Sequence, residues 1–252
     1  MDYVYSDKTK CCGCAACARS CLTGAIVMLA DAEGFIYPKI NKTQCVDCGL
    51  CHKVCPYIDN EVVENFHPHY KCYAATHKDR AVLERSSSGG VFTALSDIIL
   101  EQDGAVYGCG YTEQLKAIHM RATSTTERDN LCGSKYVQSE IDDSFIYVRD
   151  DLRNGLHVLF MGTPCQIAGL LLFLYGENTS NLLTVSLICH GVPSPKLFAE
   201  YLDYCNKRRN AKIVEYHHRS KNNYWAHIEC SKFVYNNGDS DSDSDSLMSQ
   251  AW

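Results

Sequence analysis

From residue 71 onward, short apolar runs alternate with stretches whose apolar residues recur at helical spacing. Residues 71–76, 104–109, 156–161 and 182–189 read as strands, and residues 89–101, 164–175 and 195–208 as helices. In the first of these helices Val91, Leu95, Ile98 and Ile99 fall at i, i+4, i+7 and i+8, which predicts one buried stripe. Strands alternating with amphipathic helices predict an α/β domain with a largely parallel sheet. Ahead of it, residues 25–29 and 34–38 read as a hairpin joined through Asp31-Ala32-Glu33. The stretch 57–70 has no periodicity and contains Pro68, the composition of a linker. After a further strand around 225–229 the chain passes through Asn236-Asn237-Gly238 into alternating Asp and Ser, a low-complexity tail expected to be solvated or disordered. The resulting organisation is a cysteine-rich α+β module at 1–60, a linker at 61–70, an α/β domain at 71–235 and a tail at 236–252.

The composition narrows the function. The 252 residues are 46% hydrophobic and 21% charged with a net charge of −6, so there is no basic surface for nucleic acid. The opening residues lack a basic stretch followed by an apolar one, and the longest apolar run, 167–175, is far below the ~18 residues of a membrane span. These features predict a cytoplasmic protein with no membrane span. Sixteen cysteines in a reducing compartment are then expected to bind metal or clusters instead of forming disulfides.

Nine of the sixteen cysteines precede Pro56, and eight form two copies of C-x2-C-x2-C-x3-C: Cys11, Cys14, Cys17, Cys21 and Cys45, Cys48, Cys51, Cys55. Three thiolates at this spacing wrap one [4Fe–4S] cluster while the fourth reaches the other cluster of the pair. One cluster therefore takes Cys11, Cys14, Cys17 and Cys55, and the other Cys45, Cys48, Cys51 and Cys21. Cys12 is left over. A zinc-ribbon pair also uses C-x2-C, but has no need of a third cysteine at the same spacing or of Cys55-Pro56. Leu22 stands where the first copy would carry proline, which costs rigidity and no ligand. This reading makes residues 1–60 a ferredoxin-like dicluster module whose hairpin shields the clusters.

Two turns in the α/β domain stand out. Ser86-Ser87-Ser88-Gly89-Gly90 precedes a helix, offering hydroxyls, a serine cap and close backbone approach. Gly162-Thr163-Pro164-Cys165-Gln166 follows a strand, where open α/β sheets bind ligands, with Pro164 at the first helical position. A phosphorylated cofactor fits both turns, and so does simple helix capping. Cys72 and Cys109 read as buried thiols, and His67 and His69 as solvated linker residues. Cys165 and Cys189 both end strands and are candidates for a further cluster or for a thiol switch, the latter requiring a low-pKa thiolate.

Together with the cysteine repeat, Gly34-Phe35 and Tyr37-Pro38, these turns, Gly133-Ser134-Lys135-Tyr136-Val137-Gln138 and Cys189-His190-Gly191-Val192-Pro193-Ser194 resemble the coenzyme F420 hydrogenase/dehydrogenase beta-subunit family over about residues 10–235. Relatives continue further and carry Arg-Asp-Lys where this chain has Arg219-Ser220-Lys221, so the resemblance is to a C-terminally shortened member. It implies an iron–sulfur flavoprotein in which FAD exchanges hydride with F420 and passes single electrons to clusters. It also implies flavin or deazaflavin contacts at Ser87, Ser88, Gly89, Gly90, Ser134, Lys135, Thr163 and Pro164, with Lys135 as a cation near phosphate or ring.

The expectation is therefore an oxidoreductase subunit linking an F420-like or nicotinamide carrier, FAD and two [4Fe–4S] clusters to an electron-donor or acceptor protein. The alternative is a ferredoxin-type electron-transfer or docking module with neither flavin nor a reaction of its own.

Overall fold

The computed structural model describes residues 2–4, 8–58, 71–219, 221 and 229–245. The first module contains strand β1 (Asp2–Tyr3), one-turn helix α1 (Ala16–Arg19), the hairpin β2 (Ile26–Ala30) and β3 (Ile36–Ile40), and one-turn helix α2 (Leu50–Lys53). Then follow α3 (Arg80–Arg85), α4 (Val91–Leu100), β4 (Ala105–Tyr111), β5 (Ala117–Ala122), α5 (Thr125–Asp129), α6 (Ser144–Arg153), β6 (Val158–Gly162), α7 (Pro164–Phe173), β7 (Leu182–Ser186), α8 (Pro195–Arg209), β8 (Ala211–His217), β9 (Glu229–Tyr235) and β10 (Ser240–Asp245).

The main sheet runs β5-β4-β6-β7, with β4, β6 and β7 parallel and β5 an antiparallel edge. Its inner strands are buried on both faces, which is why they read as continuous apolar runs. Tyr107, Val158 and Phe160 point to the face covered by Phe145 of α6 and Leu170 of α7, while Val106 and Leu159 face Ile99 of α4 and Leu131. On the α6/α7 face the buried Tyr107 hydroxyl donates to Asp151 Oδ2 at 2.5 Å. The same carboxylate takes Arg121 Nε and Nη2 at 2.8 and 2.9 Å.

The cysteine-rich module is not a separate bead. Its small sheet, ordered β1-β3-β2, and helix α1 pack on the α6/α7 face, and Ala16, Cys17, Ala18, Ile26 and Val54 share one apolar core with Phe145, Phe160 and Leu170. Arg19 pairs with Asp143 across this interface. α7 comes close to the first cysteine loop at Gly169, where an added Cβ would lie 2.9 Å from Cys14 Sγ.

Several expectations change. Residues 71–76 form no strand: Ala75 lies against the Ser-Gly turn, so close that a Cβ on Gly89 would be 2.5 Å from its carbonyl oxygen, and His77 N donates to Gly89 O at 2.7 Å. Cys72 is accordingly exposed, while Cys109 packs against an apolar cluster. In α4 the buried positions are Thr93, Ser96 and Ile99, and Val91 and Ile98 are exposed. The reason is Arg128, whose buried guanidinium claims the inner face through Nη1 bonds to Thr93 O (3.1 Å), Ser96 Oγ (2.8 Å) and Asp97 Oδ1 (2.6 Å).

Residues 236–242 of the Asp/Ser stretch are exposed, but residues 240–245 form β10, the outer strand of a third sheet ordered β10-β9-β8. Arg209 pairs with Asp241 and Asp243 and lies over the Phe233 ring, so the acidic strand has a cation to sit against. Phe198 and Leu202 of α8 pack with Ile213, Tyr216 and Phe233 on this sheet. The expected linker at 61–70, with His67 and His69, lies outside the described residues, as do 225–228 of the strand expected there.

Candidate functional site

The two cysteine repeats fold alike. Gly13 and Ala15 in the first loop have φ of 68° and 63°, and Asp47 and Gly49 at the corresponding positions of the second have 51° and 74°. Alanine and aspartate in the left-handed region are held there at a cost of roughly 1–3 kcal/mol each. Alternating handedness turns successive backbone N–H groups toward one side of a loop, the concave shape that receives anionic groups, iron–sulfur clusters included.

Cys11, Cys12, Cys14, Cys17 and Cys55 line one small cleft together, although among the described residues no three His, Cys, Asp or Glu side chains are gathered as they would be around a metal ion. In the second set Cys51 is raised by burial, with the charges of Cys45 and Cys48 adding to the shift. Burial raises Cys21, but the Thr23 hydroxyl and the N–H groups of Ala25, Thr23 and Ile26 outweigh it and leave this thiol below its ordinary value. That is the environment of a sulfur prepared to carry negative charge. The sets differ in exposure: Cys14, Cys17 and Cys55 are buried beneath α7, while Cys48 is exposed and Val46 beside it is 68% exposed.

Beyond the carboxyl ends of β4, β6 and β7 lies a mainly apolar cavity of about 620 Å³. That is the size of a cofactor pocket and the position where open α/β sheets bind ligands. Of the residues the resemblance implies, Ser87, Ser88, Gly89, Gly90, Ser134, Lys135 and Thr163 line it, and Pro164 does not. Pro164 does occupy the first position of α7, exposed on the outer side of the turn. The expected serine cap of α4 is absent: its N-cap is Gly90 at φ 79°, without a side-chain bond. Ser87 instead accepts from Ser134 N at 2.7 Å and so ties the two loops together. Lys221 Nζ steadies the same turn, donating to Leu83 O at 2.6 Å and Ser88 O at 3.0 Å.

Lys135 is partly buried, and its ammonium donates to the carbonyls of Leu131 (3.0 Å) and Cys132 (2.7 Å). Burial lowers its pKa, with Cys109 and Cys132 acting the other way. No carboxylate is among these partners, so the cavity wall keeps a positive charge whose counter-charge an anionic ligand would supply.

Sequence reasoning missed His119, Ser139 and Gln138. His119 is stacked on Phe160 at 5.2 Å, and its ring nitrogens meet Met161 O (3.2 Å) and Ser139 Oγ (3.1 Å). Burial, aided by Lys135, lowers its pKa to about 4, so it is neutral at pH 7. Gln166 donates to Ser139 Oγ at 2.9 Å and accepts from Thr163 N at 3.0 Å, which carries this network into the 162–166 turn. Gln138 accepts from Ile36 N at 2.9 Å and joins the hairpin to the cavity. Gly13 is fixed by the same contact, since a Cβ there would be 2.6 Å from Gln138 Nε2 and 2.5 Å from Ile36 O.

Cys165 and Cys189 both border the cavity, but Cys165 is raised by its hydrogen bond with Cys12 and by burial. The low-pKa thiolate that a nucleophilic switch requires is therefore not formed at Cys165.

Comparison with known proteins matches two stretches of the chain. Residues 10–58 match the 4Fe-4S dicluster domain, and residues 155–241 match the C terminus of the coenzyme F420 hydrogenase/dehydrogenase beta subunit. No curated protein matches the sequence. Among solved structures the chain is similar to one from the F420-reducing [NiFe] hydrogenase complex of Methanosarcina barkeri, with 20% identity and a TM-score of 0.45 over 69% of this chain and 62% of that one. Among the described residues no helix is long and apolar enough to cross a membrane. The chain thus carries one segment similar to 4Fe–4S dicluster domains and another similar to the C terminus of coenzyme F420 hydrogenase/dehydrogenase beta subunits.

Proposed function

We propose that this chain is an oxidoreductase subunit in which a redox carrier seated in the large cavity communicates with two [4Fe–4S] clusters and, through them, with a protein partner. FAD is the proposed resident, exchanging with an F420-like deazaflavin or a nicotinamide. The observation that carries the reading is a shared wall: Cys11, Cys12 and Gly13 belong both to the first cluster loop and to the lining of the cavity. A ligand there has the cluster loop as its immediate neighbour.

When bound, the flavin supplies the conversion between an electron pair and single electrons. The chain's own part is binding and orientation. Gly89 and Gly90 let the backbone close on a phosphate, Lys135 supplies positive charge, and Phe92, Leu131, Val137 and Val185 exclude water. Neutral His119 holds Ser139 and, through Gln166, the turn that carries Thr163. The exposed second loop around Cys48 is the proposed outlet to a partner.

Iron, sulfide and flavin assays with an absorption spectrum of anaerobically purified protein test this. About eight irons and one flavin per chain support it, by the two-cubane count. Eight irons without flavin leave the ferredoxin-type module and overturn the cavity assignment.

A further inference from the structure

Among the described residues β7 is the outer strand of the main sheet, paired on one side with β6. Val158 N donates to Asn181 O and Leu187 N to Gly162 O, each at 2.9 Å, so the odd-numbered residues 181–187 turn their backbone groups to β6. Strand residues alternate in this respect, so Leu182, Thr184 and Ser186 turn theirs outward. Leu182 N is taken by Thr179 O at 3.0 Å, while the N–H groups of Thr184 and Ser186 and the carbonyls of all three meet no partner among the described residues. Leu183 and Leu187 are 41% and 48% exposed, and Ile188 is fully exposed. Native sheet edges are normally guarded by charge, proline, a bulge or a covering segment. The opposite edge, β5, is bridged by Glu140, whose carbonyl accepts from His119 N at 2.8 Å and whose N–H donates to Ala117 O at 3.1 Å. The outer strand β10 carries Asp at alternate positions. β7 has no such guard: its register with β6 is regular, and no Lys, Arg, Asp or Glu occurs between Glu177 and Lys196.

We propose that β7 is the contact surface for a second copy of this chain, the two β7 strands pairing antiparallel about a two-fold axis at Thr184. In that register Thr184 N donates to the Thr184 carbonyl of the second copy, and Ser186 N to its Leu182 carbonyl. The reciprocal bonds come from the other side, so every outward N–H left over on the two edges finds an acceptor. Leu183 lies opposite Val185 of the second copy, an apolar cross-strand pair. Pairing about a two-fold axis sets each residue against the same local sequence, so a charge near Thr184 would meet a like charge. The uncharged run is therefore the composition that suits this edge to a copy of itself, and it offers nothing to a partner recognised by charge. The contact is isologous and closes at two copies, because the outer edges of the joined sheet are the two β5 strands already bridged by Glu140. Val185 and Leu187 also line the large cavity, so the second copy stands at its rim.

Light scattering and sedimentation of anaerobically purified full-length protein give the mass, and hydrogen exchange of the peptide spanning β7 identifies the surface. The expected result is about twice the 28.2 kDa of one chain, with exchange at Thr184 and Ser186 slowing as protein concentration rises. Leu183→Lys should halve the mass and remove that protection with iron per chain unchanged. Leu29→Lys, at a similarly exposed leucine of β2, should leave both as in the parent. A monomeric parent would overturn the proposal and leave the edge to another protein's strand. So would a dimer whose β7 amides exchange freely at every concentration, or one that persists in Leu183→Lys. The exchange series on the parent needs no substitution, so it decides the matter even where Leu183→Lys fails to fold.

Discussion

Gly169→Ala is the substitution in which helix propensity and packing predict opposite signs. In a helix interior alanine is better than glycine by about 1 kcal/mol, so α7 on its own would gain from the change. The methyl group, however, would lie 2.9 Å from Cys14 Sγ, 3.2 Å from Cys14 Cβ and 3.5 Å from Ala16 Cβ. Contacts between such atoms are optimal near 3.5–4.0 Å, so α7 and the first cluster loop must part by roughly 0.6–1 Å. Overpacking of this size costs about 1–3 kcal/mol, leaving a net loss of about 0–2 kcal/mol. The displaced atom is the sulfur of a cluster ligand, so the effect on cluster content should exceed the effect on the fold. Anaerobic thermal unfolding together with iron analysis reads both quantities. The expected outcome is a modestly lower Tm with iron falling from about eight toward about four per chain, as one four-iron cluster is lost. A raised Tm with full iron would refute the claim that the absence of a side chain at Gly169 is what seats the cluster loop.

Three further outcomes follow from the same structure. Cys48→Ser should remove the exposed cluster and stop electron delivery to an external acceptor while reduction of bound flavin continues, read by stopped-flow absorption; unimpaired delivery would break the proposed route. His119 is held neutral to about pH 4, whereas an unfolded histidine takes up its proton near pH 6.5; between these values the unfolded chain binds more protons, so stability falls as pH falls, by roughly 3 kcal/mol for this residue. His119→Gln should flatten the acid side of the stability–pH curve across that window, with the remaining slope owed in part to His218, also depressed by burial, and an unaltered slope would contradict the assignment. Asp151→Ala strips the buried Tyr107 hydroxyl and Arg121 of their shared acceptor and should cost about 3 kcal/mol in urea unfolding; a loss below ~1 kcal/mol would mean the network is already solvated.

How much could be read from the chain depended on how local the determinant was. The cluster cysteines are a matter of spacing along a few residues, and the same left-handed turns recur at Gly13 and Asp47 and at Ala15 and Gly49 despite different side chains. The main parallel strands announce themselves because they are apolar on both faces. The face of α4 was not legible, since it is decided by Arg128, a charged residue from another element that no periodicity would place inside. Nor was β10, because an Asp/Ser run forms a strand here only against β9 and the cation of Arg209. The cavity-lining turns could be located but not their internal bonding: Ser87 bridges to Ser134 instead of capping a helix, and Pro164 faces away. Cys12 and Cys165 are remote in sequence, and only the docking of the two modules brings both to the wall of one cavity.

That docking makes the condition of the cofactor loops a property of the whole molecule. Because Ala16, Cys17, Ile26 and Val54 are packed into the same apolar core as Phe145, Phe160 and Leu170, the cysteine loops cannot come loose without exposing the underside of the central sheet. Clusters that bind the native chain and not the unfolded one then add their binding free energy to the stability of the entire fold. Their oxidative loss would lower the melting of β4 and β6 as surely as that of the loops themselves. A chain built this way reports damage to its iron sites through its own lifetime, since the protein that has lost its clusters is also the one most readily unfolded and degraded.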